Sequence, residues 1–589
     1  MTTSADDQSQ PARPSRRTVL SGAAATGLTA SALTASTGTG PAAAAGSTHQ
    51  TQDADEAAAR RAGHRVFRHG VASGDPLPDA VVLWTRVTPT RDASPGSGIG
   101  PRTTVGWQVA ADRAFTRVVR RGRFTTGRGR DHTVKIDVAG LAPATTYYYR
   151  FTALGQTSRT GRTRTAPSHD AALASLRVGM VSCGNWQAGY FAAYRGLADR
   201  DDLDLVLHLG DYLYEYGPGE YGYGPDDVDI RSHEPAHEMV GLADYRRRHG
   251  QYKTDRDLQR AHARHPWVVT WDDHETTNDA YDDGAENHQP DTEGDWPTRR
   301  ARAHRAYDEW MPVRMAGTAD LRDGSRLFRR LRFGTLAQLN MLDLRTYRSQ
   351  QPGLTDGAAI DDPERTITGA QQMAWLKDSL TNDPGTPQWK VVGNPVMIAP
   401  VTFAGLPSRV TRAVDDVTGL LPDDGQPYNV DQWDGYTADR REVFAHLQDE
   451  GVTDVLFLTG DIHSGWACEL PVEAGDYAVT RESVGVELVC ASVTSGNLKD
   501  ITGAPEATPA VEAAILANNP HVKHLDFDNH GFCVLELTPE RAQCDWFVIG
   551  DRAEVDTPIT WSVSWTTQAS SNRVTRAAAP LAGTPEEVR

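Results

Sequence analysis

Two hydrophobic patterns follow one another along the chain. From Phe67 to about residue 166, short runs alternate apolar with polar positions and are separated by turn residues. Residues 81–87, 104–109 and 133–138 are three such runs, and 141–151 reads as a turn feeding another strand. Strands at this spacing predict a small all-β sandwich of fibronectin or immunoglobulin type. From Leu176 the runs become nearly continuous in apolar residues, end in polar or acidic groups, and alternate with helical periodicity. That grammar predicts α/β organisation. The runs are 177–182, 203–209, 267–271, 389–393 and 455–459. Residues 400–430, rich in Pro, Gly and Asp, predict a long loop near the site, and the stretch from Asn572 lacks periodicity and predicts a loose end.

At 589 residues the chain exceeds one ordinary domain, and 39% apolar residues suffice for real cores. Its net charge of −18 argues against a nucleic-acid-binding module, although arginine heavily outnumbers lysine. The first residues read as a targeting segment. Ser15-Arg16-Arg17-Thr18-Val19-Leu20 resembles the twin-arginine export motif, and Ala43-Ala44-Ala45 offers a cleavage site. The uncharged stretch between them is too diluted by Gly, Ser and Thr for a stable membrane span. The implied partner is the twin-arginine export machinery, and the implied location is outside the cytoplasm. Of five cysteines, Cys468, Cys490, Cys533 and Cys544 could form two bridges after export or remain buried thiols.

Four of the α/β runs lead into groups able to bind metals. These are Cys183-Gly184-Asn185; Gly210-Asp211 with Tyr214 and Glu215; Asp272-Asp273-His274-Glu275 followed by Asn278; and Gly460-Asp461-Ile462-His463. Alone, each is as well explained by a turn or a satisfied polar residue. Together they predict convergence, because strands of an α/β sheet present their carboxyl ends on one edge. Carboxylates gathered there repel one another unless cations intervene.

These segments resemble the PhoD family of bacterial alkaline phosphatases and phosphodiesterases, within the metallophosphoesterase superfamily. The resemblance runs from about Phe67 nearly to Ile549 and includes Gly70-Val71-Ala72-Ser73-Gly74-Asp75-Pro76, Trp271-Asp272-Asp273-His274-Glu275, Gly460-Asp461-Ile462-His463-Ser464 and His530-Gly531-Phe532. It implies an α/β metallophosphoesterase-like sandwich, two sheets flanked by helices, holding one Fe³⁺ with Ca²⁺. Thiolate and phenolate stabilise Fe³⁺, whereas carboxylate and amide oxygens suit Ca²⁺. The resemblance therefore implies Cys183, Asp211, Tyr214 and Asp273 chiefly around iron, with Asp461 and His463 on the calcium side and Asp211 bridging. It implies that Asn278 contacts phosphate or calcium and that Arg299 or Arg300 binds phosphate. Asp272, His274 and Glu275 are supports or direct ligands.

The expected organisation is a signal peptide (1–45), a linker (46–64), a β-sandwich (65–167), a catalytic domain (175–550) and a C-terminal extension (551–589). The expected activity is hydrolysis of phosphomonoesters and diesters. Alternatives are a phosphodiesterase or phospholipase D acting on phospholipid head groups, and a non-catalytic phosphate-binding module.

Overall fold

A computed structural model describes residues 64–315, 326–402, 422 and 425–582, and the backbone of 587–588. The expected signal peptide, the linker up to residue 63 and most of the 400–430 loop lie outside the described residues.

Strict alternation along the strands builds a layered sandwich. In the first sheet the strands Leu176–Val181, Leu205–His208 and Pro266–Val269 run parallel side by side. In the second, Ala337–Met341, Trp389–Asn394, Val455–Thr459 and Val486–Val489 do the same. Val178, Met180, Leu207 and Val268 of the first sheet share one buried core with Leu339, Val391, Leu456 and Leu488 of the second. The intervening residues face outward onto helices. Val206, Trp267 and Val269 pack with Leu197, Tyr245, Leu258 and Tyr307, while Val392 and Phe457 pack with Leu376, Val443 and Phe444. Apolar residues on both faces explain why these runs read as nearly continuous.

The N-terminal β-structure merges with this body. Val71–Gly74 pairs in parallel with Pro266–Val269, with Ser73 opposite Pro266 and Gly74 opposite Trp267. Ala80–Arg86 and Thr133–Ala139 continue the same sheet outward. A separate five-stranded sheet closes over them, burying Val81, Leu83 and Val134 against Val105, Val109, Tyr149 and Phe151. At the seam Gly74 leaves no room for a side chain, since a Cβ there would lie 2.0 Å from the Pro312 carbonyl oxygen. Buried Asp75 accepts from Arg329 Nη2 at 2.7 Å and from the Arg314 amide at 2.7 Å.

Two expectations change. The described residues from Asn572 to 582 are not loose: Thr575–Arg576 pairs with Trp565 and Thr566, and Val574 and Leu581 are buried. The Leu581 amide donates to Asp545 Oδ2 at 2.8 Å, which anchors that turn. Cys468, Cys490, Cys533 and Cys544 are buried free thiols, so the bridged alternative is not realised. Among the described residues no helix is long and apolar enough to cross a membrane.

Several histidines are buried without an acidic partner. His304 stacks on Trp271 at 4.1 Å, His265 meets the Leu197 carbonyl at 3.0 Å, and His521 meets that of Pro400 at 2.7 Å. Burial pulls His304 and His265 down to about 3 and His521 down to about 4. In the unfolded chain each takes a proton near pH ~6.5, whereas the folded protein resists until those lower values. Their contribution is therefore complete above pH ~6.5 and is lost as pH falls toward 4, at about 1.4 kcal/mol per group per pH unit. Denaturant midpoints measured from pH 8 to 4 should fall in that window, less steeply in His304→Leu. A midpoint that rises on acidification contradicts the sign.

Candidate metal centre

The four sequence segments meet at one rim. Cys183, Asp211 and Asp273 follow successive parallel strands of the first sheet, and Asp461 and His463 follow Val455–Thr459 of the second. Each turn is abrupt. Cys183, Asp211, Asp461 and His463 all adopt left-handed backbone, with φ of 59°, 55°, 60° and 56°. Such conformations cost roughly 1–3 kcal/mol each in a non-glycine residue and persist where the surroundings enforce them. Gly210 (φ 113°) permits the turn before Asp211, since a Cβ there would lie 2.5 Å from that of Asp272.

Ligand atoms of Cys183, Asp211 and His463 lie within 4.8 Å of one another, as do those of Asp211, Asp273 and His274, and those of Asp211, Asp272 and Asp461. Asp211 is common to all three groups. Tyr214 joins the first, donating its hydroxyl to Asp211 Oδ2 at 2.8 Å with His463 Nε2 3.3 Å away. The expected partition therefore shifts: His463 stands with Cys183 and Tyr214, and Asp273 stands with His274. The cause is local. His463 Nδ1 lies 2.8 Å from the Gly496 carbonyl, which can only accept, so Nδ1 carries the proton and the Nε2 lone pair faces inward.

Glu275 and Glu215 shape the rim without entering these groups. Glu275 accepts backbone N–H bonds from Asp211 (3.1 Å), Tyr212 (2.6 Å) and Asp272 (2.9 Å), tying two strand ends together. Burial and the adjacent Asp211 push its carboxyl up to about 8. Glu215 accepts from His274 Nδ1 at 2.7 Å and from the Asn278 amide at 2.8 Å. Burial opposes its charge, but His274, the Asn278 amide and Asn287 together hold it below its usual range. Burial likewise opposes a charged His274, yet Asp273, Glu215 and Asp211 push it up to about 10.

Sequence reasoning missed Arg345. Its Nε and Nη2 grip both oxygens of Asp272, Nη1 reaches Asp431 at 3.0 Å, and Nη2 stands 3.6 Å from Asp461. The signal was present, for Arg345 also follows a parallel strand, Ala337–Met341, whose run was not recognised. Arg299 departs from its expected role. Its five N–H groups are occupied by the Tyr245 hydroxyl, the Asn287 and Met239 carbonyls, Glu293 and Glu238, leaving none for phosphate. Arg300 bonds Asp282 and the Thr346 carbonyl. Neither arginine contacts the ligand groups. Asn278 Nδ2 donates to Glu286 at 3.2 Å.

The donor set fits cations. Burial and Asp211 push the Cys183 thiol well up, so only a bound cation would hold it as thiolate. The buried Asn278 Oδ1 has no hydrogen-bond partner among the described residues, which such groups rarely tolerate.

The comparisons agree with this architecture. Residues 178–546 match the family model described as PhoD-like phosphatase, and residues 51–167 match that of its N-terminal domain. Alkaline phosphatase D of Bacillus subtilis (strain 168) is 36% identical over 489 residues, covering 82% of this chain and 77% of the relative. A solved structure titled "Structure of PhoD" is 33% identical with a TM-score of 0.76, covering 88% of this chain and 93% of that one.

Replacing Glu275 by Gln turns one acceptor into a donor facing backbone N–H groups. The variant should lose about 1–3 kcal/mol of stability and bind metal more weakly, measured by denaturant titration and elemental analysis. Unaltered metal content would show that the rim does not depend on this brace.

Proposed function

From its membership of the PhoD-like phosphatase family, which makes the chain a phosphoesterase, we propose an exported, Fe³⁺- and Ca²⁺-dependent enzyme that hydrolyses phosphomonoesters and accepts diesters. The observation that carries the reading is the meeting of Cys183, Tyr214 and His463 around Asp211 beside Asp273 and Asp461. Sulfur, phenol and imidazole suit a ferric ion, and the oxygen-rich remainder suits calcium. The layered sheets are consistent with a metallophosphoesterase-like sandwich, and the Arg16-Arg17 segment supports export.

Cys183, Tyr214, His463 and Asp211 would hold iron, and Asp211, Asp461, Asp273 and Asn278 would hold calcium. Metal ions held there would supply Lewis acidity for the phosphoryl group and charge to offset its developing negative charge. The protein contributes pre-organisation. Gly496 fixes the His463 tautomer, Glu215 keeps the His274 ring oriented, and Arg345 holds Asp272 in place. Direct attack without a phosphoserine is supported by the nearby hydroxyls. Ser182 Oγ accepts from Cys183 Sγ at 3.2 Å, while Ser464 donates to the Ile462 carbonyl and accepts from Trp466 Nε1. Neither hydroxyl is hydrogen-bonded to an imidazole or carboxylate among the described residues.

Purified protein should contain iron and calcium and absorb visible light through thiolate or phenolate charge transfer. Asp211→Asn should lose both metals and at least a thousandfold of turnover, on the order of 4 kcal/mol of barrier. Monoester, diester and phospholipid assayed side by side rank the substrate classes. Hydrolysis that survives complete metal removal would overturn the reading.

A further inference from the structure

The loop Ser492–Asn497 touches two of the iron-side groups at once. The amides of Thr494 and Ser495 and the Ser495 hydroxyl all donate to the Cys183 carbonyl, at 3.3, 3.3 and 3.0 Å. At the next residue, the Gly496 carbonyl accepts from His463 Nδ1 at 2.8 Å. Whatever holds this loop therefore sets the separation of Cys183 from His463.

What holds it is a buried polar cluster that takes no part in the chemistry described above. Ser492 Oγ donates its single hydrogen to the Ser495 carbonyl at 2.7 Å, so it must accept from His530 Nδ1, 2.8 Å away. That assigns the His530 proton to Nδ1 and leaves Nε2 a lone pair. Arg552 Nη1 donates to this lone pair at 2.6 Å and to Asp500 Oδ2 at 2.8 Å. Asn497 Nδ2 lies 3.2 Å from His530 Nε2, and Asp500 Oδ2 stands 3.0 Å from the same nitrogen, with Arg552 shared between them. The short Arg552 contact favours a neutral imidazole while Asp500 opposes it, and burial, aided by Arg552, outweighs Asp500 and pulls His530 down to about 4. Asp500 closes the loop from the other end by accepting the Asn497 amide at 3.1 Å. Arg552 is itself pinned by Nε donating to the Ala188 carbonyl at 2.9 Å and by its own carbonyl accepting the Tyr190 amide at 2.7 Å. Both lie on the segment that follows Cys183. His530 is the residue of the His530-Gly531-Phe532 motif left without a role by the metal chemistry.

We propose that Arg552, His530, Asp500 and Ser492 form a positioning unit that holds Cys183 and His463 at the spacing iron needs, and that this unit governs iron binding selectively over calcium. It rests on the iron assignment made above. None of the four is a ligand; they act through one carbonyl and one tautomer. Supports of this kind typically change metal affinity by about tenfold to a hundredfold.

The test compares wild type with Arg552→Met, Arg552→Lys and Ser492→Ala, reading iron and calcium content by elemental analysis and the visible charge-transfer band. Arg552→Met should weaken iron binding about tenfold or more and shift the band, with calcium content near wild type. Arg552→Lys should recover part of the loss, and Ser492→Ala should show a smaller loss of the same kind. Wild-type iron content and spectrum in Arg552→Met overturn the inference, as does equal loss of both metals. Should Arg552→Met fail to fold, Ser492→Ala decides, since it removes only a hydroxyl; an unchanged spectrum there counts against the unit. A wild-type protein without iron defeats the assignment above instead.

Discussion

Buried anions crowded at one rim are the constraint on which the rest depends. Asp211, Asp272, Asp273 and Asp461 are nearly or wholly removed from water, where like charges repel strongly and hydration no longer offsets them. Protein cations relieve part of this. Arg345 neutralises Asp272 and Asp431, and His274 lies between Glu215 and Asp273. Asp211, Asp272, Asp273, Asp461, Asp431 and Glu215 still outnumber Arg345, Arg348 and His274. The sheets, turns and bracing glutamates serve to keep these groups together until metal ions complete the neutralisation.

Backbone geometry makes that gathering possible. Four ligand candidates occupy the left-handed region, which side-chain-bearing residues seldom adopt. The strain is tolerable because parallel strands beneath fix where each turn begins, and carboxylates such as Glu275 satisfy the N–H groups that the turns expose. Stability given up at the rim is recovered in the double-sided cores below it.

Much of this was readable in the sequence, and the misses have physical causes. Apolar runs ending in Cys183, Asp211, Asp273 and Asp461 identified the rim because strand direction and strand end are both local signals. The placement of His463 beside Cys183 was hidden, since it depends on the Gly496 carbonyl thirty-three residues away. Arg299 was misread because a charge suited to phosphate is equally suited to two glutamates, and only the fold reveals which are near. Arg345 escaped notice because basic residues after a strand were not sought where acids were. The C-terminal turn looked unstructured because Val574 and Leu581 are buried singly, without a period to detect.

The parallel pairing of Val71–Gly74 with Pro266–Val269 has a consequence for how this chain can be divided. The N-terminal portion reads as a detachable module, yet three of its strands complete one flank of the sheet that carries Asp272 and Asp273. Cutting after residue 167 would bare a row of unpaired amides and carbonyls on the very strand that leads into those ligands. The two portions must mature as one object, and neither can be exchanged between relatives without its partner.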